Sequence, residues 1–206
     1  MQWHDVAQNS EAWQALRCGK ATASNFGTFM ANYGKAFGDP AKKYAVQVAL
    51  ERATGNKAEN EYSNGFMERG HLLEPIARSL YEQTYFVDVS NGGFFDCGDH
   101  GDSPDGLVSS DGVIEIKSVT PAVHFNTLSR GKHDPAYTWQ LVGHLDCTGR
   151  DWVDFVSFCP EFPEDKQLIV YRVDRDQMQQ ELKMLAERRA EFIELVDEIY
   201  NRITAQ

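Results

Sequence analysis

The chain contains 206 residues, of which 42% are hydrophobic, and its formal net charge is −11. This hydrophobic content can bury one good core, so we expect a single domain over residues 1–206. The acidic balance excludes a protein that coats nucleic acids nonspecifically, because such binding needs clustered lysines and arginines. Any contact with DNA must therefore be confined to a small part of the surface.

Neither a membrane segment nor a disulfide framework is indicated. The sequence has no apolar run of about eighteen residues, and its N-terminal residues lack the basic and apolar parts of a signal peptide. We therefore expect a cytoplasmic protein without a membrane contact. The cysteines are scattered, without any Cys-x-x-Cys spacing: Cys18, Cys97, Cys147 and Cys159. We expect free thiols, with neither a structural metal site nor an iron–sulfur cluster.

The N-terminal part of the chain predicts helices. Ser10 can cap a short helix that runs through Arg17, and the hydroxyl and amide side chains around Ser24 predict the start of a second helix. Pro40 is typical of the first turn of a third helix, which Gly55 would end.

A polar loop over 56–63 is predicted next, followed by a long helical segment. Residues 64–84 carry apolar side chains at helical spacing, with Glu74 beside the apolar face. Pro75 removes a backbone donor from the middle of this segment. The helix is therefore expected either to bend or to restart there.

The second half of the chain predicts strands and one helix. The predicted order is strands at 93–97, 106–109 and 113–119, a helix at 136–147, and strands at 152–159 and 167–173. The first three strands would form an antiparallel meander around an acidic turn. Because a helical crossover joins parallel strands while short loops join antiparallel ones, we expect an α/β (α+β) fold with a mixed central sheet flanked by helices.

The last segment, 175–203, has the three-four alternation of apolar residues that is typical of a helix. This helix would either pack on the chain's own sheet or form a subunit contact. The expected organisation is thus N-terminal helices over 1–90, a catalytic sheet core over 91–174 and a C-terminal helix over 175–204.

The candidate site is the tripeptide 115–117, ten residues after Asp105. Because successive side chains of a strand point to opposite faces, Glu115 and Lys117 share one face while Ile116 points into the core. A buried carboxylate needs a partner, and a divalent cation held by Asp105 and Glu115 would supply one. Oxygen ligands suit Mg²⁺ or Mn²⁺, and Lys117 could orient or deprotonate a water that attacks a phosphate. The alternative is an exposed pair of charges beside an acidic turn.

Several short segments carry a resemblance in the same order along the chain: 16–25, 69–78, 103–107, 115–117, 139–145 and 152–156. Together they resemble the lambda exonuclease family, also called YqaJ-like viral recombinases, within the PD-(D/E)XK nuclease superfamily. The resemblance implies a restriction-endonuclease-like core. It also implies a metal site formed by Glu74, Asp105, Glu115 and the carbonyl of Ile116, beside which Lys117 positions the nucleophilic water.

The resemblance further implies residues that contact DNA. Arg17 and Ser24 would bind the phosphate at the DNA end, and Gln140 would lie near the phosphates of the cleaved strand or the attacking water. A guanidinium fork and a hydroxyl at a helix start suit a phosphate. The alternatives are simple capping by Ser24 and an exposed amide for Gln140. His71, three residues before Glu74, could be a further metal ligand, although a polar helix flank also accounts for it.

The implied activity is a Mg²⁺-dependent 5′-to-3′ exonuclease that acts on double-stranded DNA ends. It would release 5′-mononucleotides and leave 3′ single-stranded overhangs for phage-type homologous recombination. The resemblance implies a ring-shaped homotrimer in the host cytoplasm, with a single-strand-annealing protein as a partner. Two alternatives remain open: a structure-selective or restriction-type endonuclease, and a catalytically silent DNA-end-binding module. An endonuclease would cut a closed circle, whereas an exonuclease needs an end.

Overall fold

The computed structural model of the chain describes residues 1–58 and 65–205, so the predicted loop at 56–63 lies largely outside them. The helices are α1 (Glu11–Arg17), α2 (Phe26–Met30), α3 (Asp39–Thr54), α4 (Gly65–Tyr85), α5 (Pro121–Arg130), α6 (Thr138–Thr148) and α7 (Gln179–Thr204). The strands are β1 (Gln2–His4), β2 (Ala21–Thr22), β3 (Val89–Ser90), β4 (Phe94–Asp96), β5 (His100–Asp102), β6 (Gly106–Val108), β7 (Gly112–Ser118), β8 (Trp152–Phe158) and β9 (Leu168–Asp174).

A five-stranded mixed sheet forms the centre of the fold, in the order β3-β6-β7-β8-β9. Strands β7 and β8 are parallel, and the chain passes through α5 and α6 between them. The other neighbours in this sheet are antiparallel. The predicted mixed sheet with a helical crossover is therefore confirmed. Helix α5 was not predicted, although Pro121 in its first turn and Gly131 just after its end are ordinary helix boundaries.

A second sheet, in the order β1-β4-β5-β2, was not predicted. The predicted meander was wrong for its first strand, because the segment 93–97 pairs with β1 and β5 rather than with β6, whereas β6 and β7 pair antiparallel as predicted. A tight turn, in which the Cys97 amide donates to the carbonyl of His100, returns the chain antiparallel to itself. Gly98 adopts a φ of +93° in this turn, where other residues would be strained. Strand β5 has the sequence His-Gly-Asp, a composition typical of turns. The sequence therefore indicates a turn at this position, and the strand was not predicted.

The N-terminal helices largely agree with the predictions from the sequence. Ser10 caps α1 by accepting a hydrogen bond from the Trp13 amide at 3.2 Å, and Gly55 ends α3 with a φ of +67°. Helix α4 continues through Pro75, so the alternative of a restart at this residue was wrong. Ser24 lies inside a short 3₁₀ turn and not at the cap position, which Thr22 occupies. The interpretation of Ser24 as a capping residue was therefore wrong.

Side chains of β7 alternate between two apolar clusters on opposite faces of the central sheet. Val113 belongs to a cluster that includes Leu141 of α6. Ile114 and Ile116 belong to a second cluster that includes Tyr81 of α4. Helix α6 therefore covers the face toward which Glu115 points, and α4 lies against the other face.

Helix α7 packs against other helices. Phe192 of α7 is fully buried and stacks on Phe29 of α2 and on Tyr44 of α3, with ring centroids 4.6 Å and 5.4 Å away. The expectation that this helix packs on the sheet was wrong about its main partners, because α7 contacts α2, α3 and α6. None of the helices in the described part of the chain combines the length and apolarity that a membrane crossing requires.

Candidate active site

Glu115 and Lys117 meet on one face of β7. The Lys117 Nζ atom lies 2.5 Å from Glu115 Oε1, which confirms that the two side chains share a strand face. Glu115 is 2% exposed, whereas the lysine side chain is about a quarter exposed. The alternative of an exposed charge pair is thus excluded. Lys117 Nζ also lies 5.0 Å from the ring centroid of Tyr137, which borders the same space.

Asp105 is fixed beside this pair by the backbone of β7. Its amide donates to the Ile114 carbonyl at 3.2 Å, and its Oδ2 atom accepts from the Ile116 amide at 2.6 Å. The Arg78 guanidinium donates to the Asp105 carbonyl and lies 3.8 Å from Glu74 Oε1. Arg78 therefore connects α4 with the segment between β5 and β6 that carries Asp105.

These residues surround a cleft of about 460 Å³, called here the carboxylate cleft and lined by Glu74, Asp105, Ile116 and Lys117. Glu115 closes its inner side through the contact with Lys117. His71 also lines the cleft, as the possible extra ligand would require. The structure thus brings together every residue that the resemblance assigned to the metal site.

The carboxylates of the cleft raise one another's proton affinity. Burial, followed by the charges of Glu115 and Glu74, raises the pKa of Asp105 to about 8. Burial also raises the pKa of Glu74, an effect that Arg78 partly opposes. This excess of oxygen donors and negative charge fits a divalent cation, which would favour the ionised form of both groups.

Lys117 is held as an ammonium ion. Burial alone would lower the pKa of Lys117, but the charges of Glu115 and Asp105 raise it above its usual range. An ammonium group donates hydrogen bonds and carries positive charge, but it accepts no proton. Of the two roles considered from the sequence, this arrangement favours orienting the water over deprotonating it.

Helix α6 supplies further contacts to Glu115. Gln140 Nε2 donates to Glu115 Oε1 at 2.6 Å, so Gln140 is not an exposed amide. His144, one turn later on the same helix face, is fully buried between two carboxylates. Its Nε2 atom lies 2.8 Å from Glu115 Oε2, and its Nδ1 atom lies 2.8 Å from Asp102 Oδ2. The sequence analysis did not identify Asp102 and His144 as site residues, although the four-residue spacing from Gln140 was a usable signal.

The charges of this network are complementary. Burial alone would lower the pKa of His144, but Asp102 and Glu115 raise it to about 10. Burial alone would raise the pKa of Glu115, but Lys117 and His144 lower it to about 2. Glu115 is therefore an ionised acceptor between two cations, ready to bind a further cation without first losing a proton.

A second group of candidate residues lies around Arg17, at the end of α1. Its Nη2 atom lies 3.5 Å from Thr22 Oγ1, which in turn lies 3.4 Å from Ser24 Oγ. A small cavity of about 100 Å³, called here the Arg17 pocket, is lined by Arg17, Thr22, Tyr44, Lys57 and neighbouring polar residues. Burial is the main cause that lowers the pKa of Arg17. Arg17 and Ser24 therefore lie near each other, and the Thr22 hydroxyl contacts both.

Trp13 connects the Arg17 pocket with the carboxylate cleft. The guanidinium carbon of Arg17 lies 4.1 Å from the centroid of its ring, and Lys57 Nζ lies 5.3 Å from it. Trp13 Nε1 donates to Ser103 Oγ at 2.8 Å, two residues before Asp105. Trp13 was not identified from the sequence. Its contacts place two cations and the segment that carries Asp105 around a single indole ring.

The family described as the YqaJ-like viral recombinase domain matches residues 12–151 of the chain. The chain belongs to this family. The matched range includes every candidate residue, from Arg17 to His144. The resemblance recognised in the sequence is thereby confirmed. No curated protein matches the chain at a significant level.

Solved structures of two exonucleases have the same fold. The alkaline exonuclease LHK-Exo from Laribacter hongkongensis is 32% identical, with a TM-score of 0.78 and coverage of 94% of this chain and 98% of that one. LHK-Exo in complex with dAMP is 33% identical, with a TM-score of 0.80 over 95% of this chain and 98% of that one. A phage-related exonuclease from Haemophilus somnus 129PT, 16% identical with a TM-score of 0.65 over 89% and 94% of the two chains, supports the fold alone.

Proposed function

We propose that this YqaJ-like protein is a Mg²⁺-dependent exonuclease that degrades double-stranded DNA from an end in the 5′-to-3′ direction. The observation that carries the proposal is the convergence of Glu74, Asp105, Glu115 and Lys117 in one cleft. The family and the alkaline exonuclease relatives indicate a nuclease. We further propose that residues 1–206 act as one nuclease domain.

The residues of the carboxylate cleft fit a divalent metal ion. Asp105 and Glu115, together with Glu74 and the carbonyl of Ile116, would hold it, and such a set of oxygen donors suits Mg²⁺, with Mn²⁺ as a substitute. When bound, the metal ion activates water for attack and offsets negative charge on the scissile phosphate.

The chain's own residues orient the reaction. The Lys117 ammonium donates a hydrogen bond to the attacking water and offsets charge that develops on the phosphate oxygens. Gln140 and His144 hold both oxygens of Glu115, so this carboxylate does not rotate when substrate arrives. Hydrolysis proceeds in one step: a water oxygen bonds to phosphorus, the bond to the 3′ oxygen breaks, and that oxygen takes up a proton.

The Arg17 pocket supports cleavage from a 5′ end. Each hydrolysis leaves a new 5′-phosphate on the shortened strand, and a guanidinium with a neighbouring hydroxyl from Ser24 can bind that phosphate. Binding the terminal phosphate one nucleotide away from the cleaved bond would release mononucleotides. The complex of the relative LHK-Exo with dAMP, a deoxynucleoside monophosphate, supports such a product.

The larger assembly is part of the same proposal. A ring-shaped homotrimer would retain a chain of net charge −11 on DNA by threading the duplex through its centre. The resulting 3′ overhang would pass to a single-strand-annealing protein during phage-type recombination in the bacterial cytoplasm. The molar mass in solution, measured by light scattering, tests the trimer directly.

The deciding experiment is digestion of linear duplex DNA labelled separately at each 5′ and 3′ terminus, with a covalently closed circle as the control. We expect early, Mg²⁺-dependent release of the 5′ label as a mononucleotide and an intact circle. A nicked circle would instead establish an endonuclease. No release from either substrate would establish a silent DNA-end-binding module, and release of the 3′ label first would overturn the polarity.

A further inference from the structure

Two cysteines and a histidine outside the carboxylate cleft converge in space. Cys97 and His100 lie at the turn between β4 and β5, and Cys147 lies near the end of α6. One ligand atom from each side chain lies within 4.8 Å of both others. We propose that Cys97, His100 and Cys147 form a zinc-binding site that fastens the second sheet to α6.

The turn between β4 and β5 presents two of the ligands together. The Cys97 amide donates to the His100 carbonyl at 3.0 Å, which closes a turn with two residues between the ligands. Gly98, with a φ of +93°, permits this tight conformation. A short spacing of this kind is usual for the paired ligands of structural zinc sites.

The distances suit zinc after a small contraction. Zn–S bonds of about 2.3 Å and Zn–N bonds of about 2.0 Å place tetrahedral ligand atoms roughly 3.3–3.8 Å apart. The three atoms of this site lie within 4.8 Å of one another, so each pair would close by at most about 1.5 Å, which side-chain rotation can supply. Three protein ligands leave the fourth position to a water molecule.

The histidine is already oriented by a carboxylate. The His100 Nδ1 atom lies 2.5 Å from Asp99 Oδ1, which leaves Nε2 as the ligand atom. Metal-binding histidines usually donate their second ring nitrogen to such a carboxylate, which fixes the tautomer and the ring. Asp146 Oδ2 lies 3.8 Å from His100 Nε2, but Arg189 holds this carboxylate.

The two cysteines also meet through a direct contact. The Cys97 thiol donates to the backbone carbonyl of Cys147 at 3.6 Å, so its sulfur already lies against the end of α6. Zinc binding would form two Zn–S bonds and release the protons of both thiols to solvent, together with any proton on His100 Nε2.

This site is chemically distinct from the carboxylate cleft, because its ligands are soft sulfur and nitrogen atoms instead of oxygens. It also has a structural consequence. Helix α6 carries Gln140 and His144, which hold Glu115, so a metal at its C-terminal end would stabilise the element that positions this carboxylate. The inference does not depend on the proposed nuclease activity.

Cobalt binding to the reduced, metal-free protein tests the site, since only a thiolate-bound Co²⁺ ion gives an intense near-ultraviolet charge-transfer band. We expect about one such ion per chain, which zinc displaces because it binds more tightly. The band should disappear in Cys97→Ser and in Cys147→Ser. It should persist in Cys18→Ser, a cysteine outside the cluster, and in Asp105→Asn, which removes an oxygen ligand of the other site.

A second variant keeps the test decisive if the cysteine variants fold poorly. Asp99 is about half exposed, so Asp99→Asn should fold normally while weakening cobalt binding by about 10–100-fold. Zinc should raise the melting temperature of the parent protein but not that of Cys97→Ser.

The proposal is overturned if the reduced parent gives no charge-transfer band, or if the band survives both cysteine substitutions. It is equally overturned if the protein as isolated, denatured and freed of metal, has an intact mass two hydrogens below that of the reduced chain, because the pair is then a disulfide.

Discussion

The carboxylate cleft and the Arg17 pocket lie on either side of Trp13, and they are built in opposite ways. The cleft gathers carboxylates from α4, β7 and the segment before β6 around one lysine, and backbone hydrogen bonds to β7 fix Asp105. The pocket gathers cations around one indole ring, on a short helix and the turns that follow it. This difference agrees with the proposed roles, in which the cleft performs chemistry, where small displacements are costly, and the pocket binds a DNA end and tolerates adjustment.

The largest loss is expected from Asp105→Asn. Removing this carboxylate deletes a metal ligand, and a metal contribution of several kcal/mol corresponds to about a thousandfold in turnover. Initial rates of Mg²⁺-dependent digestion measure the effect. Asp165→Asn, at an exposed surface position, is the matched control and should be fully active. Equal rates for the two variants would remove Asp105 from the site.

Lys117→Ala should separate chemistry from binding. We expect turnover to fall by about 10²–10³-fold, because the group that orients the water is lost, while the affinity for DNA ends is unchanged. Rates under saturating DNA and equilibrium binding in the absence of Mg²⁺ measure the two effects. Lys166→Ala, an exposed lysine on the loop before β9, serves as the control. A fully active Lys117→Ala protein would contradict the mechanism.

His144→Ala should weaken both the fold and the cleft. The substitution leaves Asp102 and Glu115 buried without their shared cation, and breaking a buried ion pair costs about 3–5 kcal/mol. Urea denaturation measures the loss in the free energy of unfolding. His133→Ala, at a half-buried histidine outside the cleft, should change little. A His144→Ala protein as stable as the parent would show that this histidine does not balance the two carboxylates.

Arg17→Ala should affect only the pocket. Losing hydrogen bonds to a charged phosphate costs about 1.5–3 kcal/mol, so the advantage of 5′-phosphorylated over 5′-hydroxyl ends should fall by about 10–100-fold. Arg17→Lys keeps the charge without the planar fork and should recover part of this preference. Initial rates on the two kinds of end give the ratio. Equal rates on both ends in the parent protein would count against a phosphate pocket.

The smallest expected effect is on the pH dependence of stability in metal-free protein. Asp105 has a pKa of about 8 in the fold and an ordinary value of 3.8, so between these values the folded state holds the extra proton. Stability from this group is complete below pH 3.8 and is lost as the pH rises toward 8. The melting temperature of the parent should therefore fall more steeply over this range than that of Asp105→Asn. Identical slopes would contradict the raised pKa.

Local spacing accounts for much of what the sequence predicted. Ser10 and Gly55 are recognisable helix ends because capping depends on a few adjacent residues. The shared face of Glu115 and Lys117 follows from the two-residue period of a strand. No local period joins residues ten apart, so the position of Asp105 beside them was inferred from the need of a buried carboxylate for a cation and from the family resemblance.

The sequence by itself determined the mixed sheet, most helices and the composition of the carboxylate cleft. The sheet and the helices follow from periodicity, and the residues of the cleft were recognised in short motifs, each of which is contiguous in the sequence. Only the tertiary structure decided that His144 lies between Asp102 and Glu115, that β4 leaves the central sheet, and that Cys97 meets Cys147. Such contacts depend on how separate elements dock. Docking is set by many weak packing interactions across the whole core, which no short stretch of sequence encodes.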